Sequence, residues 1–173
     1  TVAPSFNNIE TWSSKGKTLL MKALAEGHLK PSRKLTDIIY TCSTCGHCFA
    51  ESFQGLEIDK AIKATRHTLT KKGYTPEVFI QTAKNIKEIG DPSGMPLTRR
   101  LQWTKALPKQ NIPKKADILY WVGCMVATRT PNTAKAMANI LNHAGIEFTM
   151  LGEKEGCCNY VLLAAGLWNE AKK

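Results

Sequence analysis

The sequence lacks any long hydrophobic run. No stretch approaches the roughly 18 apolar residues that a membrane-spanning helix requires. The first residues, Thr1-Val2-Ala3-Pro4, have neither the basic start nor the apolar segment of a secretory signal peptide. We therefore expect a cytoplasmic protein, or one that lies at the cytoplasmic face of a membrane. With 43% hydrophobic residues over 173 positions, the chain still has enough apolar material for a real core.

The sequence also lacks a cluster of basic residues, although its formal net charge is +10. Nucleic-acid binding needs a concentrated basic patch as well as an excess of charge, so we expect no nucleic-acid partner. Either the basic surface is simply solvated, or it attracts an anionic substrate or an acidic redox partner. The basic residues occur as scattered pairs, such as Lys71-Lys72, Arg99-Arg100, Lys114-Lys115 and Lys172-Lys173.

Helical periodicity dominates the first half of the chain. Apolar spacing predicts a helix over 18–29, preceded by a loop at 12–17, and a second helix that Ser32 caps and that leads to Cys42. A third helix runs from Ile58 to a stop at Gly73, and a fourth begins after Pro76 and ends at Gly90. Residues 1–90 are therefore predicted to form a small helical unit around a cysteine loop.

The following segment, 91–116, is rich in proline, lysine and polar residues, which is typical of a domain linker or a long surface connection. Leu101 and Trp103 are the residues expected to anchor part of it to the protein. No internal repeat or low-complexity tract interrupts the chain.

Residues 117–173 show an α/β pattern. The run 118–122 predicts a buried parallel strand, 146–151 predicts a second strand, and a helix starts between them at Thr130-Pro131 and ends at Gly145. Parallel strands joined by a right-handed crossover end at the same edge of a sheet, which brings together the cysteines that follow them. The helix face is predicted to contain Ala134, Met137, Ala138 and Leu141. The expected fold class is α+β with an α/β part.

Cys42, Cys45 and Cys48 lie three residues apart in one loop, so all three thiols can turn toward a common centre. This spacing favours a cubane iron–sulfur cluster. A structural zinc site and a redox dithiol are the main alternatives, although zinc usually takes two pairs of ligands. A bacterial ferredoxin would place a further cysteine where Ser52 stands, so a four-iron cluster with an outside ligand and a three-iron cluster both remain open. His47 is expected at the surface or behind the ligands.

The remaining cysteines are Cys124 and the adjacent pair Cys157-Cys158. They could be ordinary buried side chains, or in an oxidising compartment the six cysteines could form disulfides. The tight triple and the adjacent pair instead favour metal sites in a reducing compartment. Gly123 and Gly156, which precede them, are expected to permit close backbone approach.

Two groups of motifs resemble the heterodisulfide reductases and related iron–sulfur oxidoreductases. The C-terminal group is similar to their cysteine-rich CCG domain, and the N-terminal group is similar to the ferredoxin-type half of the D-type subunit. The residues that carry the resemblance are Ser14-Lys15-Gly16-Lys17, Cys42 to Cys48, Tyr120-Trp121-Val122-Gly123-Cys124-Met125 and Glu155-Gly156-Cys157-Cys158-Asn159.

The chain departs from the pattern of this family at four places. Ala3-Pro4 and Ser52-Phe53 stand where the family carries Cys-Pro, and Asn159 stands where a glycine is usual. The distal Cys-x-x-Cys of the family would lie beyond Lys173. We therefore expect a fragment of a longer subunit, with 117–173 as the first half of a Rossmann-like CCG domain.

The resemblance implies an electron-transferring oxidoreductase that belongs to a complex. Cys42, Cys45 and Cys48 would bind a 4Fe–4S cluster, and Cys124, Cys157 and Cys158 would be the catalytic ligands of a second iron–sulfur cluster, of non-cubane type in the family. The reaction would be reduction of an anionic disulfide, and the partners would be other redox proteins of the complex, with any membrane attachment through a cytochrome b-type protein. The alternatives are an electron-carrier component of an anaerobic glycerol-phosphate or lactate dehydrogenase complex, and a zinc-stabilised scaffold.

Overall fold

The structure is a computed structural model, and it describes residues 9–107 and 115–172. Helices dominate these ranges, and the strands β1 (Ile118–Leu119) and β2 (Phe148–Thr149) pair in parallel. The longer helices are α1 (Ser14–Ala25), α2 (Arg33–Tyr40), α4 (Ile58–Lys71), α5 (Glu77–Ile89) and α7 (Pro131–His143). The shorter ones are α3 (His47–Ala50), α6 (Cys124–Thr128), α8 (Tyr160–Ala164) and α9 (Trp168–Ala171), with 3-10 helices at Glu10–Trp12, Leu97–Ala106 and Gly152–Lys154.

These elements confirm the α+β class, whereas the Rossmann-like arrangement stays a prediction. The chain packs as two compact units. The first combines the described residues up to Ile80 with those from Tyr160 onward, and the second comprises Gln81–Asn159. The predicted domain boundaries remain predictions. None of the helices in the described ranges is both long enough and apolar enough to cross a membrane.

The first unit has an aliphatic core made by α1, α2 and α4. Ser32 caps α2 as predicted, since its hydroxyl accepts the N–H of Leu35 at 3.2 Å. Helix α4 ends at Lys71, and Gly73 has a φ of +82°, which confirms the predicted stop. The buried residues of this core are Met21, Leu35, Ile39, Ile62 and Leu69.

Helix α1 begins earlier than predicted. Residues 14–17 were expected in a loop, but the hydroxyl of Ser13 accepts the N–H of Gly16 at 3.1 Å and thereby starts the helix at Ser14. A Cβ at Gly16 would lie only 2.1 Å from the carbonyl oxygen of Glu10, so the helix can pack here only because this residue has no side chain. Leu19, an apolar residue of the helix predicted over 18–29, is 56% exposed.

A buried arginine joins the C-terminal segment to α4. Arg66 is 4% exposed, and its guanidinium donates to the carbonyl oxygens of Ala164 at 2.7 Å and Ile39 at 3.3 Å. It also lies 4.8 Å from the centre of the Tyr40 ring, whose hydroxyl donates to the carbonyl oxygen of Ala165 at 2.8 Å. These polar contacts hold the backbone at the end of α8 to the helical unit.

Gly166 should be the least replaceable residue of this contact. Its φ is +82°, and a Cβ would lie 2.4 Å from the backbone nitrogen of His67. Gly73 has the same φ, but a Cβ there would meet nothing within 4 Å. The positive φ should cost either alanine variant about 1–2 kcal/mol, and the clash should add about 1–3 kcal/mol in Gly166→Ala alone. Urea unfolding of both variants measures the difference, and equal losses would contradict the packing described here.

The second unit is built around Phe148, which is fully buried. The ring of Tyr120 packs edge-on against Phe148 and against Trp103, with ring centroids 5.8 and 6.4 Å apart. Trp103 is 4% exposed, so it anchors its segment as predicted. The buried residues of this core are Trp103, Leu107, Ala127, Ala134, Ala138 and Phe148.

Three details of the α/β prediction are wrong. The first strand is short and its residues are not buried, since Ile118 and Leu119 are 46% and 47% exposed. The second strand covers only Phe148–Thr149 instead of 146–151. Each strand has a single neighbour in the described ranges. In so small a sheet, strand residues are not buried from all sides. Met137, predicted on the buried face of α7, is 43% exposed, whereas Ala134 and Ala138 are fully buried.

Candidate metal centres

Local backbone geometry turns the first cysteine loop around a cavity. The loop follows α2, and the backbone N–H of Thr44 donates to the sulfur of Cys42 at 3.4 Å. Thr44 and Gly46 have φ values of 53° and 77°, which reverse the chain before α3 begins. Cys42, Cys45 and Cys48 all line one cavity of about 60 Å³. Its other lining residues are Ser14, Lys17, Thr41, Ser43, His47, Ile58 and Ile62.

Polar contacts hold the loop from both sides. The thiol of Cys48 donates to the hydroxyl of Ser14 at 3.1 Å, and Arg66 donates to the carbonyl oxygen of Cys42. The backbone N–H of His47 and the hydroxyl of Ser43 lower the pKa of the exposed Cys45 thiol, because both stabilise the thiolate. The loop is therefore prepared to present at least one thiolate.

Lys17, a residue of α1, lines the same cavity. The residue is 4% exposed, and burial lowers the pKa of its ammonium group, while the charges of Cys42 and Cys48 act in the opposite direction. Sequence reasoning placed Lys17 in a motif without predicting its burial. A lysine between Gly16 and Thr18 carries no sequence signal that it will be buried.

The donor set of the first loop fits a cluster better than a single ion. All six cysteines are free thiols. In the ranges 9–107 and 115–172, no three His, Cys, Asp or Glu side chains are close enough together to hold one metal ion. All ligands of a zinc ion must bind the same metal atom, so their side chains must lie close together. Ligands of a cluster bind different iron atoms and stand further apart, so three thiols around one cavity suit an iron–sulfur cluster.

The second group of cysteines lies in two loops of the second unit. Cys124 is the first residue of α6 and follows Gly123, and its thiol lies close enough to that of Cys157 to affect the pKa of Cys157. Cys158 is exposed. Among the predicted ligands of this site, the structure thus joins Cys124 to Cys157.

Burial raises the pKa of the Cys157 thiol to about 11. The backbone N–H of Asn159 opposes this rise, whereas the Cys124 and Cys158 thiols add to it. A thiol with so high a pKa is a weak nucleophile by itself. Cys157 is therefore not expected to act as an unassisted nucleophile.

The glycines beside these cysteines face open space. A Cβ at Gly123 or at Gly156 would meet no protein atom within 4 Å, so no other protein segment requires a glycine at either position. Gly123 is required by its φ of 79° and ψ of 152°, a conformation that other residues avoid. Asn159 has a φ of 60°, which asparagine tolerates better than most residues.

A buried carboxylate orients the loop before Cys124. Glu155 is 3% exposed, and its carboxylate accepts the backbone N–H of Val122 at 3.1 Å and that of Gly123 at 2.6 Å. Because Glu155 stands two residues before Cys157, it links the two cysteine loops directly. We name Glu155, Asp91 and Arg100 the buried charge network.

Arg100 completes the buried charge network. Its guanidinium donates to the carbonyl oxygens of Glu155, of Gly156 at 3.0 Å and of Gly90 at 3.1 Å. It also pairs with the carboxylate of Asp91 at 3.2 Å and lies 3.9 Å from that of Glu155. None of the three residues was predicted from the sequence. The signal that could have found one of them was the position of Glu155 inside the C-terminal motif.

Comparison with known proteins assigns a family to the C-terminal part of the chain. Residues 118–170 match the cysteine-rich CCG domain family. This confirms the CCG resemblance that the motifs predict.

The curated relatives make this likeness more specific. The chain is 32% identical over 159 residues to the D-type subunit of the dihydromethanophenazine:CoB–CoM heterodisulfide reductase of Methanosarcina barkeri, a match that covers 90% of this chain and 38% of that protein. The corresponding protein of Methanosarcina acetivorans is 35% identical over 133 residues, covering 75% of this chain and 32% of the relative. The probable iron-sulfur-binding oxidoreductase FadF of Bacillus subtilis is 30% identical over 129 residues, covering 68% and 18%.

The chain thus spans less than two fifths of the length of these relatives. No solved structure matches it significantly. Names of oxidoreductases and of iron–sulfur proteins recur among the relatives, which supports an electron-transfer role and iron–sulfur clusters as the class of cofactor. They do not favour the zinc scaffold.

Proposed function

We propose that the chain is part of an iron–sulfur oxidoreductase that reduces a disulfide, as its heterodisulfide reductase relatives are named to do. The observation that carries the proposal is that each unit contains a set of neighbouring cysteines. Cys42, Cys45 and Cys48 line one cavity, and Cys124 contacts Cys157. The first group would hold a 4Fe–4S cluster, and the second, with Cys158, would contribute to a cluster at the substrate.

Clusters bound at these thiols would supply one-electron transfer, which allows a disulfide to be cleaved in two single-electron steps. Overall, one disulfide, two electrons and two protons give two thiols, and the electrons would come from a partner redox protein. The residues of this chain position the ligands: Arg66 and Ser14 hold the first loop, and Glu155 holds the loop that precedes Cys124.

The family match at 118–170 supports the assignment of 117–173 to the first half of a Rossmann-like CCG domain. Residues 1–90 would be the ferredoxin-like domain and 91–116 the connection. The anionic substrate, the cytoplasmic location and a cytochrome b-type membrane partner belong to the same proposal. The formal net charge of +10 supports an anionic substrate, because it favours encounter with anions.

Metal and sulfide content tests the proposal most directly. We expect anaerobically purified protein to contain iron and acid-labile sulfide, and to give a cubane-type EPR signal at low temperature once reduced. Adding a thiol to the oxidised protein should produce a further signal from the second site. If the thiol changes nothing although both clusters are present, an electron-carrier protein becomes the better description. Zinc without sulfide would overturn the whole proposal.

A further inference from the structure

Lys17 is a largely buried lysine that pairs with no carboxylate in the part of the chain that the structure describes. It is 4% exposed, and neither an ion pair nor a hydrogen bond of its ammonium group occurs within 9–107 and 115–172. Other lysines of the same unit behave differently. Lys15 and Lys22, which lie on the same helix, are 75% and 67% exposed and each pairs with a glutamate.

Lysine side chains as buried as this one are rare unless the charge is paired, because taking an ammonium group out of water is costly. Its position makes the exception informative, because Lys17 lines the cavity that the three cysteines of the first loop also line. Those cysteines would be thiolates when they bind iron. These thiolates would then place negative charge in the cavity beside Lys17.

A nearby cation also affects the reduction potential of a cluster. The reduction potential of an iron–sulfur cluster depends on its net charge, on hydrogen bonds to its sulfurs and on its exposure to solvent. Each added electron makes the centre more negative, so a fixed positive charge beside it stabilises the reduced form. This effect is stronger for a buried group than for a surface one, since burial lowers the effective dielectric constant.

We propose that Lys17 is the counter-ion of the cluster held by Cys42, Cys45 and Cys48, and that its charge raises the reduction potential of that cluster. The inference rests on the proposed function, because it requires a cluster at this loop. Lys17 is a positioning residue in this role, acting by its charge and not as a ligand. Helix α1 would then help to set the potential of the cluster.

The test compares Lys17→Met, which removes the charge at similar length, with Lys17→Arg, which keeps it. Lys22→Met is the matched control, since Lys22 is an exposed lysine on the same helix. Each full-length protein is purified anaerobically and titrated with dithionite as the electron donor, while EPR follows the reduced cluster. At the wild-type midpoint potential, we expect the ratio of reduced to oxidised cluster to fall about tenfold in Lys17→Met, a shift of about 59 mV for one electron.

Lys17→Arg and Lys22→Met should both stay near the wild-type ratio. A Lys17→Met cluster with the wild-type midpoint would overturn the inference while leaving the proposed function intact. If Lys17→Met is purified without iron, the arginine variant decides: wild-type iron content in Lys17→Arg supports the need for charge, and loss of iron there overturns it. Wild-type protein without iron and sulfide would overturn the proposed function, and this inference with it.

Discussion

Replacing Arg100 with alanine is expected to destabilise the second unit by about 3–5 kcal/mol, because it leaves two buried carboxylates without their cation. Arg100, Asp91 and Glu155 are each 2–3% exposed. The guanidinium also satisfies the carbonyl oxygens of Gly90 and Gly156, and a buried acceptor left without a donor adds to the cost. We expect unfolding of this unit to occur at clearly lower urea concentration.

Arg99 provides the matched control within the same segment. It is exposed, and its guanidinium reaches only the sulfur of Met95, at 3.5 Å. Arg99→Ala should therefore change the free energy of unfolding by no more than about 0.5 kcal/mol. Circular dichroism during urea unfolding under anaerobic conditions compares the two variants with the wild type. Similar losses in both would show that the buried charge network does not stabilise the fold.

Iron content gives the same comparison a functional readout. The buried charge network connects the residue before Cys124 to the residues before Cys157 through Glu155. Losing the arginine should therefore reduce iron at the second site more than at the first, whereas Arg99→Ala should retain both. Equal iron loss at the two sites in Arg100→Ala would argue for global unfolding and against a positioning role.

The pair Arg99-Arg100 shows where sequence reasoning ends. Both residues are arginines in a segment that composition describes as a polar connection, yet one is exposed and the other is 3% exposed. What buries Arg100 is a set of backbone carbonyl oxygens from Gly90, Glu155 and Gly156, which only the fold brings together. Every residue has a backbone carbonyl oxygen, so the sequence does not indicate which of them will accept a hydrogen bond from an arginine. The burial of Arg66, which also donates to backbone carbonyl oxygens, was not predicted for the same reason.

Features that depend on local spacing were predictable. Ser32 caps α2, Gly73 and Gly90 have the positive φ values of helix stops, and β1 pairs in parallel with β2. The periodicity rules used for these features describe single elements and their caps. They did not give the exposure of Ile118 and Leu119, because that depends on how many neighbours the sheet supplies to the strand.

The cysteine groups lie between these two cases. Spacing alone was enough to place Cys42, Cys45 and Cys48 around one centre, and they do line one cavity. The contact between Cys124 and Cys157 needed the parallel strands as well. The serine contact to Cys48 could not be inferred, since Ser14 comes from a distant segment. The role of Glu155 was signalled only by its place in the C-terminal motif. Which cysteines bind iron remains a prediction.

Replacing Cys124 with serine is expected to abolish the signal and the chemistry of the second site while leaving the signal of the first cluster intact. A serine oxygen is a poorer ligand for iron than a thiolate, and Cys124 lies beside the half-buried Cys157, so its loss removes part of the site. The first loop should be unaffected because its residues pack in a separate compact unit with its own core.

Cys42→Ser is the reciprocal variant, and together the two substitutions form a crossed design. In Cys42→Ser the reduced cubane signal should disappear, while the signal that a thiol induces in the oxidised protein should persist. In Cys124→Ser the opposite pattern is expected. The backbone carbonyl of residue 42, which accepts from Arg66, remains in the serine variant, so the fold of the loop should survive. If either substitution removes both signals, the thiols serve one shared centre and the assignment of two sites is wrong.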